Sequence, residues 1–318
     1  MKKSLIAMAM AAAIAAPAAN ANVVIYGKVH VSIDHVESES SDARWAVSSN
    51  SSRIGFKGTE DLGNGLSLIW KAETGYDFAD GGAWSSSGRN AYIGLTGDWG
   101  TFLYGNHDTA LKMSTAKLDI FSDTIADYDE SIDFDDERWG QNIMYISPNM
   151  NGLTFAVNGA VHAGDGPEED LFQSYSLAAM YSNNGLYLSA AYEFEDDSDS
   201  DDDETNWRLG AGYDMNNVHV GFVYEDTDQE SDNSSDGYLW QLSGSYTFGN
   251  NVVKAMYGAE VLDDGDNDES GWAVGFDHML SKRSKVYAVY VDTDNDIKNH
   301  DLSGDDQKGF SVGMIHKF

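Results

Sequence analysis

The sequence predicts an all-β fold, a transmembrane antiparallel β-barrel of about 16 strands. Three observations predict it. An exported chain lacks any later apolar run long enough to span a bilayer as a helix. Apolar and polar residues alternate with period two from Val23 to Phe318. Short turns alternate strictly with long polar connections along the whole length.

The first element is a leader. Lys2 and Lys3 precede an Ala- and Met-rich run from Leu5 to Ala19, and Ala19-Asn20-Ala21 offers a small-x-small site. This reads as a secretory signal over 1–21, with the barrel domain occupying 22–318. A membrane helix needs roughly 20 consecutive apolar residues, and no window after the leader supplies them. A membrane role therefore requires strands; a secreted soluble protein is the alternative at this point.

Composition narrows the functions. The chain carries 19 Lys+Arg against 53 Asp+Glu, a formal charge of −34. A field of that sign repels phosphates and other anions and attracts cations, which excludes nucleic acid as a partner. There is no cysteine, so disulfides, thiol catalysis and thiolate metal sites are excluded.

Strands are expected at 22–36, 53–61, 66–78, 89–97, 101–106, 140–147, 152–162, 174–182, 186–195, 206–214, 218–225, 238–248, 251–261, 271–280, 284–292 and 308–318. In the ninth, Leu186, Leu188, Ala190, Tyr192 and Phe194 share one face and Ser189 and Glu193 the other. A soluble sandwich also alternates in this way. The connections discriminate. Gly63-Asn64-Gly65, Asn183-Asn184-Gly185 and Asn216-Asn217 supply the positive φ of tight hairpins. Between such turns run 37–52, 79–88, 107–138, 163–173, 196–204, 226–236, 262–270 and 293–306. Short turns on one rim and long loops on the other are the plan of transmembrane barrels, and an even strand count puts both termini on the short-turn rim.

With that layout established, three segments resemble the general diffusion porins of Gram-negative outer membranes. They are Val24-Ile25-Tyr26-Gly27-Lys28, Ser52-Arg53-Ile54-Gly55-Phe56-Lys57-Gly58-Thr59-Glu60-Asp61-Leu62-Gly63 and Arg89-Asn90-Ala91-Tyr92-Ile93-Gly94-Leu95. The likeness covers the mature chain in layout and is most specific there. It implies an outer-membrane homotrimer with one water-filled pore per subunit for passive diffusion of small hydrophilic solutes. It also implies that the longest connection, 107–138, folds into the barrel and narrows the pore. His316-Lys317-Phe318 is similar to the family's last strand, which ends on an aromatic; Phe318 is then the signal read by the barrel-assembly machinery. One departure is Gly105-Asn106-His107-Asp108, where similar porins often carry Arg-Gln after the glycine. Losing that arginine favours cations further.

Alternation places Lys28, Arg53, Lys57, Lys71, Arg208 and Lys254 on polar faces, toward the lumen. The resemblance adds Arg89 and Arg138. It sets Asp108, Asp119, Asp123 and Asp127 opposite them as the acidic side of the constriction. Some of the bases would alternatively only neutralise wall carboxylates such as Glu73. Apolar residues within Leu118–Tyr128 suit anchoring against the inner wall, and 110–121 suits a short helix.

The acidic runs 195–204, 263–269 and 292–296 do not make an EF-hand: counting from Asp292, positions six and twelve are Ile297 and Ser303, not Gly and Glu. No cofactor and no defined metal site are expected. The runs read as solvated loops that gather divalent cations diffusely and bridge lipopolysaccharide phosphates. No HExxH and no Gly-x-Ser-x-Gly occurs, so an enzyme has no motif to stand on. Two other functions stay open: a substrate-specific channel, and a plugged surface adhesin or cation-binding barrel.

Overall fold

The computed structural model describes residues 22–82, 84, 88–161, 171–196, 203–229, 236–262, 268–297, 300 and 306–318. The leader 1–21, His162 and most of the acidic runs 195–204 and 263–269 lie outside the described residues.

Among the described residues seventeen strands form one sheet. β1 (Asn22–Glu37) pairs antiparallel with β17 (Gln307–Lys317), from Lys28 opposite Lys317 to Glu37 opposite Lys308, and this seam closes the barrel. β2 (Arg44–Ser49) and β3 (Arg53–Gly63) both pair with β1, over its upper and lower halves. They are one wall strand broken at 50–52, where Ser51 takes a left-handed φ of 49°. The wall is therefore 16 strands around. The sequence reading put 37–52 in a loop; polar Ser48 and Asn50 hid a strand whose outer face, Trp45 and Val47, is apolar and exposed.

The remaining wall follows in chain order as simple hairpins: β4 (Leu66–Gly75), β5 (Ala91–Gly97), β6 (Gly100–Asp108), β7 (Arg138–Ile146), β8 (Leu153–Ala160), β9 (Ser174–Asn183), β10 (Leu186–Glu195), β11 (Glu204–Met215), β12 (Val218–Gln229), β13 (Gly237–Phe248), β14 (Asn251–Leu262), β15 (Glu269–Met279) and β16 (Ser284–Thr293). Asn184 (φ 49°) and Gly185 (φ 83°) make a tight turn of the kind two consecutive positive φ values require. β11 and β12 run further than expected because their ladder continues out to Glu204 opposite Gln229.

Between β6 and β7 lies the 109–137 loop, with helices α1 (Ala110–Thr115) and α2 (Tyr128–Ser131). The protein's core sits here, inside the barrel. Leu111 packs against Ala156, Ala178 and Ala191; Leu118, Ile132 and Phe134 against Tyr187, Val223 and Leu239; Phe121 and Ile125 against Met256, Val289 and Val291. Glycines on the inner wall admit it. A Cβ on Gly258 would come within 2.9 Å of Ile132, and one on Gly275 within 2.8 Å of Phe121.

Candidate functional site: the constriction

The inner wall also satisfies the loop's polar backbone. α1 starts with Thr109 capping Lys112 N at 3.2 Å, while Asn158 on β8 and Ser176 on β9 accept from the N–H groups of Ala110 and Leu111 at 2.8 and 2.9 Å. Those N–H groups have no partner within a helix, so the wall fixes where the helix begins. From there the loop crosses the lumen. At its tip Asp123 takes φ 60°, a left-handed conformation that Asp tolerates, and its carboxylate meets Lys28 on β1 and lies 3.8 Å from Arg53 on β3.

What remains open is a cavity of about 450 Å³ between the loop and the wall of β3 to β7. Arg53, Lys71, Arg89 and Arg138 line it from the wall, and Asp119, Asp123, Asp127, Asp129 and Asp136 from the loop, with Lys112 among them. Two wall carboxylates interrupt the basic side. Glu73 lies 2.7 Å from Arg89, 3.5 Å from Lys71 and 3.7 Å from Arg53, and accepts from Tyr26 Oη at 2.9 Å. Asp108 pairs with Arg138 at 2.6 Å and accepts from Asn90 at 2.8 Å.

The expected residues thus separate. Arg53, Lys71, Arg89 and Arg138 line the cavity. Lys28 does not: the loop tip covers it, and it is 5% exposed. Lys57 is exposed nearer the short-turn rim, its ammonium 5.1 Å from the centre of the Tyr26 ring. Asp108 stands on the basic wall rather than opposite it, because it ends the strand that Arg138 pairs with. Asp127 turns inward to accept from Asp123 N at 2.6 Å, and Asp119 accepts from Phe121 N at 2.9 Å. Arg208 and Lys254 point inward yet are buried beneath the loop. Sequence reasoning missed Glu73's central place, Lys112, Asp129 and Asp136. The Ala and Gly residues on inward positions, where a wet wall would carry polar groups, were the available signal for where the loop docks.

The loop carboxyls are held differently. Burial acts to raise Asp123, but Lys28 and Arg53 outweigh it and hold that carboxyl well below the usual range. Burial pushes Asp119 up to about 7, against the hydrogen bond it shares with Asp127. Burial raises Asp136 as well, despite Arg208 and Lys112 beside it.

Toward the long-loop rim a second cavity, about 490 Å³, is lined by Asp129, Asp133, Asp135, Asp136, Glu137, Glu204 and Glu260, and among the described residues by no base. The path so described has a mouth of one sign and a waist with both signs facing each other. Such an arrangement needs no covalent chemistry; it sorts by size and charge what passes through it.

Fold and site together define a transmembrane β-barrel channel narrowed by an inward loop. A family model described as Gram-negative porin matches residues 6–298, and the chain belongs to that family. The major outer membrane protein P.IB of Neisseria meningitidis serogroup B is 30% identical over 311 residues, covering 90% of this chain and 91% of that protein. The P.IB protein of Neisseria lactamica is 26% identical over 316 residues, with the same coverage of each. Among solved structures, an anion-selective porin from Comamonas acidovorans superposes with a TM-score of 0.80 at 21% identity, covering 94% of this chain and 100% of its own. OmpT of Vibrio cholerae in its trimer form gives 0.68 at 18%, covering 94% and 99%. The protein is an outer-membrane porin.

Proposed function

We propose that this porin is a passive diffusion channel for small hydrophilic solutes with a preference for cations. The observation that carries the selectivity is the charge along the path. Among the described residues the cavity at the long-loop rim is lined by acids and no base, and acids outnumber bases seven to five at the constriction. An acidic approach raises the local concentration of cations before they reach the narrow point. The solved relative from Comamonas acidovorans is an anion-selective porin. At 21% identity the two share a fold, and the sign of the field here is set by this chain's own residues. The test is a reversal potential under a KCl gradient: a potential of cation sign is expected, and one of anion sign ends the proposal.

The same reading makes the protein a channel rather than an enzyme, exported by a leader over 1–21 and assembled as a homotrimer. The trimer form of OmpT supports the assembly by likeness of fold alone. Unheated gel migration at three times the subunit mass would support it, and migration as a monomer after mild extraction would remove it. Phe318, seated on β1, suits recognition by the assembly machinery. The acidic loops suit divalent cations shared with lipopolysaccharide, and chelator sensitivity of the folded protein in that lipid tests this.

A further inference from the structure

The largest fully buried side chain among the described residues belongs to a base that lines neither cavity of the conduction path. Arg208, inward on β11, is 0% exposed. On the wall it pairs with Glu225 of β12, itself 0% exposed. The rest of its guanidinium faces the loop. Nη1 donates to Thr115 Oγ1 at 3.1 Å, at the end of α1, and to Asp136 Oδ1 at 2.6 Å on the return limb; Nη2 donates to the Asp135 carbonyl. Glu225 Oε1 completes the grip by accepting from Asp135 N at 3.0 Å. The outgoing and returning limbs are therefore tied through one side chain.

The consequence reaches the pore through Asp136. This residue lines the constriction, and its carbonyl accepts from Lys112 Nζ at 2.6 Å, so Arg208 fixes one acid and, through it, one base of the cavity lining. We propose that Arg208 is a positioning residue of the constriction: by holding both loop limbs to the wall it sets the width of the pore. A planar guanidinium can serve Glu225, Asp136, Thr115 and a carbonyl at once, whereas a lysine's compact ammonium has three donors and no fork. A neutral side chain would leave Glu225 buried without its paired base and Asp136 with Lys112 alone, 3.9 Å away, and the loop limb, free of the barrel ladder, is the part that can move to rehydrate them. The inference rests on the channel reading above.

The experiment compares the parent trimer with Arg208→Gln and Arg208→Lys in planar bilayers, and measures entry of neutral sugars of rising size into liposomes. Heat-modifiable gel migration reports folding. Arg208→Gln is expected to raise single-channel conductance roughly 1.5-fold, since conductance follows pore width. It should also admit larger sugars and flicker between levels, with Arg208→Lys in between. A merely structural arginine would alter folding yield and leave conductance and sugar cut-off alone. Folded Arg208→Gln with an unchanged or narrower channel overturns the proposal. If that variant does not fold, Arg208→Lys decides, and a channel identical to the parent overturns it. A silent parent channel refutes the channel reading and this inference together; a conducting parent with an identical variant refutes only this one.

Discussion

The Lys28 ammonium on β1 and the Asp123 carboxylate at the tip of the inner loop form an ion pair that fastens the loop, after it has crossed the lumen, to the wall. The loop leaves the wall at β6 and packs α1 on β8, β9 and β10, so this contact pins its far end to the opposite seam. The pair has two effects: it removes Lys28 from the wetted wall, and it holds one acid beside Arg53.

Replacing Asp123 by Asn should lower cation preference. A charge about 4 Å from a passing ion in water is worth about 1 kcal/mol, or roughly a fivefold change in local occupancy. The potassium-to-chloride permeability ratio is expected to fall by up to that factor, because Lys28 loses its counterion and Arg53 keeps only Glu73. An unchanged reversal potential would show that the tip carboxylate plays no part in selection.

Glu73→Gln should act in the same direction through the wall. Arg53, Lys71 and Arg89 all lie within 3.7 Å of this carboxylate. Without it Lys71 and Arg89 lose their paired carboxylate and Arg53 keeps only Asp123, and the permeability ratio should drop several-fold by the same arithmetic. Measured in low salt the effect should be largest, since screening lengthens from about 8 Å to about 30 Å as ionic strength falls from 0.15 to 0.01 M. A ratio that rises instead would contradict the basic wall.

Selectivity should depend on pH near neutrality. Asp119 is neutral below about 7 and ionised above it. Raising pH from 6 to 8 thus adds a negative charge to the constriction, so cation preference should climb over that window and Asp119→Asn should flatten the climb. Because the docked loop binds this proton more tightly than an undocked one, docking weakens as pH rises from about 4 to about 7 and is level above that. A titration equally steep in Asp119→Asn would assign the effect to other carboxyls.

Closure of the barrel should depend on Gly27. Its N–H donates to the Phe318 carbonyl and its carbonyl accepts from Phe318 N, both at 3.1 Å, and a Cβ there would collide with the Phe318 ring. Gly27→Leu should displace the last residue and cost a few kcal/mol, in the upper range for single substitutions. Unfolding of the detergent-solubilised trimer by heat is the readout. Deleting Phe318 should reduce folding yield similarly, and a normal yield from both variants would separate the seam from assembly.

Much of the architecture was legible in the chain. Period-two alternation, Asn-Gly turns and the regular exchange of short and long connections determined the barrel, its 16 wall positions and the inward face of Lys28, Arg53, Lys57, Lys71, Arg208 and Lys254, because a strand's pleat dictates direction; Arg89 and Arg138 came from the family resemblance. The break at 50–52 was missed because the polar residues around it, read in isolation, look like a loop.

The tertiary structure alone decided which inward residues meet water. Lys71 and Arg208 are alike by alternation, yet Lys71 lines the cavity and Arg208 is buried under the loop. Spacing along a strand fixes a side chain's face but not what covers that face. The cover is a connection of nearly thirty residues whose path depends on contacts far apart in sequence: Leu111 with Ala178, Asp123 with Lys28, Asp136 with Arg208. Docking of that loop turned Lys28, Arg208 and Lys254 into its fastenings and left Arg53, Lys71, Arg89 and Arg138 to the pore.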